Sequence, residues 1–437
     1  MHRFYLFLLP SLLLAQANSE QTQILQRLEK LEQQNRQLME EIRELRQQLT
    51  ASRPATPAPS LEERVEIQDR RIDEQSQTKV EASQKLPLTI TGMALFNAFI
   101  TGQQNGGAEN PTVASLTSGP ATSGATFRQT ILGLKYEGPE ALGAKIRGSL
   151  VTDLFGGSSA SLNHLLRLRV ANLSMDWKDQ TFTVGHDKPL ISIREPNSLA
   201  QVGVSALTNA GNLWLWQPQA RFEQRFHFGD SAGLRAQAGI YQTAEAATDV
   251  PTEYTSTLQR SRPALQGRFE FWSQLGSRGR IELAPGFHTS TTHVAGTSVP
   301  SRLFTFDWSI QPVPKWKLVG LFFTGENSAN MGALRQGFTI LNSGEVIPVH
   351  GSGGWAQLSY EATNRLTFSI MNGQHDDRNS DLRAGGIGKN LNYAANMQYR
   401  LAPNVFLGFE ASQVRTTYLG FGKRLNNHYD LALAYLF

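Results

Sequence analysis

Cysteine is absent from all 437 residues. That excludes a disulfide scaffold, a Cys-ligated zinc site and a thiol nucleophile. No interior stretch reaches the ~18 to 20 apolar residues that a spanning helix needs, and a mean hydropathy of −0.32 is too low for a helical membrane bundle. An excess of one charge sign is also missing. The 41 basic residues stand against 37 acidic ones, and a formal +4 does not make a nucleic-acid binder. No H-E-x-x-H, G-x-S-x-G or P-loop pattern occurs, so nothing points to an enzyme, a metal centre or a cofactor.

What is present begins with a short basic start, Met1 to Arg3, an apolar run from Phe4 to Leu14, and Ala15-Gln16-Ala17. This order fits a secretory signal peptide over residues 1–17. Residues 18–50 then carry Ile24, Leu28, Leu31, Asn35, Leu38, Ile42, Leu45 and Leu49 in alternating steps of four and three. That 3.5-residue repeat predicts a coiled coil about 39 Å long at 1.5 Å per residue. Asn35 is a polar core position that sets register and is best attested in dimers. Residues 51–60, ASRPATPAPS, read as an extended hinge, and residues 61–85 as a second, weaker heptad helix.

From residue 86 to 437 the period falls to two. Sixteen strands are predicted, near 87–101, 125–137, 144–156, 164–177, 180–187, 213–228, 233–244, 263–275, 279–290, 300–311, 315–326, 352–361, 365–374, 391–401, 404–417 and 426–437. Connections after even strands are tight, and those after odd strands are mostly long, above all 188–212 and 327–351. One face of each strand reads apolar: Leu166, Leu168 and Val170 alternate with Arg167 and Arg169, and Phe222, Phe226 and Phe228 with Arg221, Glu223, Arg225 and His227. Every even strand carries an aromatic near the same end: Tyr136, Trp177, Phe228, Phe271, Trp308, Tyr360, Tyr399 and Phe437. Rings repeated at one level fit a headgroup layer, because the ring body prefers hydrocarbon and its polar edge prefers water. The expectation is an all-β transmembrane barrel of about sixteen antiparallel strands behind an α-helical coiled coil. Lipid offers backbone groups no partner, so such a sheet must close. His375-Asp376-Asp377 has the residue types to ligate a cation, but it falls in a predicted external loop beside Arg378 and Asn379 and reads as solvated.

Signal, coiled coil, Pro-rich hinge, sixteen strands and a terminal Phe437 together resemble the trimeric outer-membrane porins of the DcaP-like and phosphate-selective group. The resemblance implies a homotrimer in the bacterial outer membrane with its coiled coil in the periplasm. It also implies passage of small anions, and recognition of Phe437 by the barrel insertion machinery. The dense Arg and Lys ladder of the phosphate branch has no counterpart here. Asn35 keeps a dimer open.

General porins narrow the lumen with the third external loop. The third connection here, 188–212, therefore places Lys188, Arg194, Glu195, Asn197 and Gln201 at or near a constriction, with 327–351 as the competing loop. By alternation, the third to ninth strands turn inward Lys145, Arg147, Arg167, Arg169, Arg221, Arg225, Arg235, Arg268 and Arg280, against Asp153, Glu223, Glu270 and Glu282. The remaining strands contribute Lys317, Arg365 and Arg400 against Asp307, Glu361, Glu410 and Asp430. One wall is thus basic by nine to four, which predicts a transverse field and a modest anion preference unless the charges pair along the wall. Two functional classes follow. The first is a diffusion channel for small hydrophilic solutes, preferably organic acids or phosphate-like anions. The second is a structural anchor whose stalk binds cell-wall polymer.

Overall fold

A computed structural model of the chain describes residues 87–157, 164–245, 250–276 and 278–437, together with Gln37 and Glu40. Two compact units are present, Met1–Lys85 and Leu86–Phe437. In the first, Gln37 and Glu40 are helical and exposed. The signal peptide, coiled coil, hinge and second helix otherwise lie outside the described residues.

The second unit is nearly all strand. In chain order the strands are β1 (Leu88–Thr101), β2 (Thr122–Thr126), β3 (Ile131–Ala141), β4 (Ala144–Gly156), β5 (Leu165–Asp176), β6 (Gln180–Asp187), β7 (Gln217–Phe228), β8 (Ala232–Gln242), β9 (Pro263–Leu275) and β10 (Gly279–Val294). They continue as β11 (Thr297–Val313), β12 (Trp316–Glu326), β13 (Phe338–Ile340), β14 (Val346–Pro348), β15 (His350–Thr363), β16 (Leu366–Asp377), β17 (Ile387–Ala402), β18 (Val405–Tyr418) and β19 (Gly422–Leu436). Sixteen of them form one closed antiparallel barrel. β2 lies along the outer half of β1, and β13 and β14 form a separate hairpin. Closure runs between β1 and β19, from Met93 opposite Leu436 to Thr101 opposite His428. Gly92 and Phe437 seal it by exchanging N–H···O bonds of 2.9 and 3.1 Å. The ring of strands therefore has no free edge in its spanning part.

Side chains alternate as a lipid-facing wall requires. On β19, Tyr429, Leu431, Leu433 and Tyr435 are exposed, whereas Asn426, His428, Asp430 and Ala432 between them are buried. Rings gather at the end that carries both strand termini, here the near rim: Trp177 donates Nε1–H to the Leu142 carbonyl at 3.0 Å, and Trp316 packs on Tyr360 with ring centres 4.5 Å apart. All connections at the near rim are tight. At the far rim 102–130, 188–216 and 327–349 are long, whereas 295–296 and 419–421 are short.

Four expectations need correction. The second predicted strand, 125–137, is interrupted: residues 125–126 end β2 on the outer half of β1, residues 127–130 leave the ladder with Arg128 and Gln129 buried, and β3 resumes the pairing with β1 at Ile131. The sixth, 213–228, begins at Gln217: Leu213 is buried in an interior cluster rather than facing outward. Val170 does not share the outward face of Leu168. A bulge at Arg169 sets Val170 opposite Val151, and beyond it the even-numbered residues of β5 face inward. β16 runs on through Asp377, so His375 and Asp377 are buried and bonded to each other at 2.7 Å, while Asp376 faces out toward Lys389.

Candidate functional site

The interior of the barrel is occupied by the connection 188–216, which leaves β6, makes one turn of 3-10 helix at Leu190–Ser192, and returns to β7. Two kinds of contact hold it there. The first is apolar. Ile191, Leu207 and Leu213 pack with Met331 against Leu303 of β11, Leu321 and Phe323 of β12, Trp355 of β15 and Met371 of β16. Those wall residues face inward, so this side of the lumen is a dry core. Backbone approaches wall closely: a Cβ on Gly373 would stand 2.1 Å from the Ala210 carbonyl oxygen, and one on Gly211 (φ +96°) 2.1 Å from that of Gly354. Only glycine accepts both constraints.

The second kind is polar. Gln129 clasps the segment, its Nε2 donating to Ala200 O at 2.8 Å while Oε1 accepts the Val202 and Gly203 N–H groups, each at 2.7 Å. Gln357 of β15 exchanges two bonds with the Asn197 backbone. Ser198 and Gln201 donate to Glu410 of β18, and Asn97 of β1 donates to Leu199 O. Arg194 reaches the opposite wall, with Nε 2.5 Å from Asp307 and Nη2 3.1 Å from Glu270 and 2.9 Å from Glu282. Lys188 pairs with Glu195. All five loop residues singled out from sequence therefore lie inside the barrel.

The inward arginines are paired rather than free. Arg147 meets Asp176 (3.3 Å), Arg167 and Arg169 share Asp153 (2.5 and 3.5 Å), and Arg221 meets Asp187 (3.0 Å). Arg225 meets Glu223 (2.8 Å), Arg235 reaches Glu270 and Glu223, Arg268 bridges Glu270 and Asp307 (2.6 and 2.7 Å), and Arg280 meets Glu282 (2.6 Å). The basic wall expected from sequence is thus a ladder of ion pairs. Asp176 was missed because the bulge at Arg169 moves it to the inner face.

In most pairs the base is the more exposed partner. The side chains of Asp153, Glu270 and Asp307 are 0, 1 and 2% exposed and those of Arg147, Arg280 and Arg225 are 56, 49 and 33% exposed, whereas Arg268 is buried together with its two acids. The lumen surface is therefore presented largely by guanidinium groups over buried acids. A pocket of about 260 Å³ on β4 to β7 is lined by Arg147, Ser174, Asp176, Thr183, Arg221 and Arg225. Nearby, Arg167 lies 5.0 Å from the Phe155 ring centre and 5.4 Å from that of Trp216, and Arg169 lies 4.8 Å from Trp216. Stacking holds these guanidinium planes without neutralising them. Gln129 and Gln357 had no local sequence signature, and each acts on the segment from a loop or strand distant in the chain. Alternation placed Glu410 on the inner face, but its contacts with Ser198 and Gln201 had no signature.

No family model and no curated sequence matches the chain. Solved structures do match in fold. The outer-membrane channel DcaP of Acinetobacter baumannii is 17% identical with a TM-score of 0.65, over 80% of this chain and 97% of that one. An anion-selective porin from Comamonas acidovorans is 13% identical with a TM-score of 0.54, over 80% and 99%. OprB of Pseudomonas putida is 9% identical with a TM-score of 0.52, over 83% and 97%. At these identities the likeness is one of fold: the chain has the sixteen-stranded barrel of outer-membrane porins, similar to that of DcaP.

Proposed function

We propose that the chain is an outer-membrane porin through which small hydrophilic solutes diffuse, with a modest preference for anions. The observation that carries this reading is the layering of the lumen wall, guanidinium groups facing the aqueous space and their carboxylates beneath. A passing anion meets donors first, and the low-dielectric wall strengthens that encounter, while salt screens it within about 8–10 Å. Lys188, Arg194, Glu195, Asn197 and Gln201 form the constriction in this reading, with Arg147, Arg167, Arg169, Arg221, Arg225 and Arg235 along the path. Small organic acids are favoured over phosphate, since the paired arginines leave few unsatisfied charges.

The barrel sits in outer-membrane lipid with its near rim toward the periplasm, and is delivered by the insertion machinery through Phe437. It assembles as a homotrimer, with the dimer suggested by Asn35 as the competing state. Residues 18–85 support assembly in the periplasm. A second reading, a plugged barrel that anchors a stalk to the cell wall, is favoured by one feature: the lumen segment touches β1, β5, β9 to β12 and β15 to β18. Single-channel recording across a KCl gradient separates the two. A channel gives discrete steps and an anion-selective reversal potential, the anchor gives silence, and a cation-selective reversal potential overturns the anion preference. Deleting residues 18–85 leaves the steps intact if the stalk serves assembly alone.

A further inference from the structure

Glu410 of β18 and Asp430 of β19 stand directly opposite each other in the strand register. Both face inward and are 1% and 2% exposed. Opposed side chains on an antiparallel pair have Cβ atoms about 4.5–5.5 Å apart, close enough for like charges to destabilise the pair. Neither carboxylate has an ion-pair partner among the described residues. The groups packed around them are neutral amides and hydroxyls: Ser198 and Gln201 from the lumen segment, Asn396 from β17, Asn97 from β1 and Ser412 from β18 itself. The titratable neighbour on β19 is His428, stacked on Phe99 with ring centres 6.0 Å apart. Arg400 of β17 lies opposite Phe406, toward the near rim, and Arg424 of β19 is engaged with the Leu116 carbonyl at the far rim.

The hydrogen-bond accounting is one-sided. Glu410 Oε2 accepts from Ser198 at 2.6 Å and Asn396 at 3.2 Å, and its Oε1 accepts from Gln201 at 2.7 Å. Asp430 Oδ1 accepts from Asn97 at 2.9 Å. The buried atoms left without a partner beside them are the acceptors Asp430 Oδ2, Asn97 Oδ1 and Asn396 Oδ1, together with both ring nitrogens of His428, whose ring is stacked on Phe99. No donor reaches Asp430 Oδ2. Two facing carboxylates in a dry wall meet that need most simply by holding one proton between them, because two unpaired buried charges are far costlier than one.

We infer that Glu410 and Asp430 share a single proton and act together as a positioning pair that fixes the lumen segment. With the proton on Asp430 Oδ2, its O–H supplies the missing donor, and Glu410 remains the acceptor that Ser198 and Gln201 need. Removing that proton sets two like charges face to face under the segment. The relief is hydration, and hydration displaces Ser198 and Gln201 from the wall. The segment is held at neutral pH and loosened in alkali.

The inference rests on the channel reading only for its electrical readout, so the test includes one that needs no current. The chain has no native cysteine, and Ala200, in the clasped part of the segment, is buried. Ala200→Cys, folded in detergent, is labelled with a maleimide across a pH series, and its rate is divided by that of Ser343→Cys in an exposed far-rim turn. The division removes the titration of an exposed thiol, and the Glu410→Gln and Asp430→Asn backgrounds give the baseline for the higher pKa of the buried one. The expected ratio rises about tenfold from neutral to alkaline pH, as loss of one proton is linked to release of the segment. It stays flat when Glu410→Gln or Asp430→Asn is added, either of which suffices should the other fail to fold. Channel conductance changes over the same pH interval. A ratio independent of pH in the otherwise unaltered barrel overturns the inference, as does a pH step that survives both neutral replacements. A ratio set by Na⁺ or Ca²⁺ at constant pH also overturns it, since a cation would then fill the place of the proton. Silence in the bilayer with the labelling step intact overturns the channel and leaves the positioning pair standing.

Discussion

Arg194 is where the segment can be detached with the least damage to the barrel. Its guanidinium is 16% exposed and binds Asp307, Glu270 and Glu282 together. Hydrogen bonds to charged groups contribute about 1.5–3 kcal/mol each, so three would suggest ~5–9 kcal/mol. That overstates the loss, because Arg268, Arg235 and Arg280 still hold the same three acids after Arg194→Ala. A net loss of about 2–3 kcal/mol for this part of the segment is the better figure. At tenfold per ~1.4 kcal/mol, the detached state becomes about 30- to 150-fold more populated. The rest of the segment stays seated by Gln129, Gln357 and the apolar contacts of Ile191, Leu207 and Leu213. Single-channel recording should therefore show larger open-state noise and a reversal potential shifted toward cations, since one cation is gone from among three carboxylates. Arg194→Lys should recover only part of this, because an ammonium lacks the planar fork that reaches several acids at once. Noise and reversal potential both unchanged in Arg194→Ala would refute the clamp.

Two further outcomes are expected. Gly373→Val places side-chain atoms where the Ala210 carbonyl now sits; the segment lifts from β16, conductance rises and the barrel keeps its heat-modifiable migration on gels. Unaltered conductance would mean that this contact does not seat the segment. Asp381, in the far-rim connection after β16, is pushed upward by desolvation. The His350 backbone N–H, the His350 ring and Ser380 outweigh that and hold its carboxyl below the usual range. A lowered value means that its contribution is complete above the ordinary carboxylate range and is lost as pH falls through the lowered value. Limited proteolysis should thus begin to cut residues 378–386 in acid, and Asp381→Asn should be cut already at neutral pH. Equal cutting of the two proteins at neutral pH would remove the role given to this carboxyl.

Much of the barrel was legible because its signal is local. A strand turns alternate residues to opposite faces, so β7 and β19 could be read from a few residues each. Failures came where an apolar residue has two possible destinations. Leu213-Trp214-Leu215-Trp216 is apolar at every position and reads as the start of a strand, yet Leu213 belongs to the interior core. Residues 318–323, Leu-Val-Gly-Leu-Phe-Phe, carried a usable warning. Apolar side chains on both faces mean burial on both, and Leu321 and Phe323 indeed receive the segment. The bulge at Arg169 left no mark that a single sequence could show, and it moved Val170 and Asp176 to faces opposite from those expected.

By itself the sequence determined the number and order of the barrel strands, the greasy outer face, the ring-rich near rim and which connections are long. All of these depend on neighbours within a few residues. Only the tertiary structure decided that residues 188–216 cross the interior, that Arg194 finds Asp307 113 positions away, and that the inward arginines are paired over buried acids. Those outcomes depend on strand register and closure, which bring together side chains that no local periodicity relates, and so the wall charges counted along the chain differ from the surface that the lumen presents.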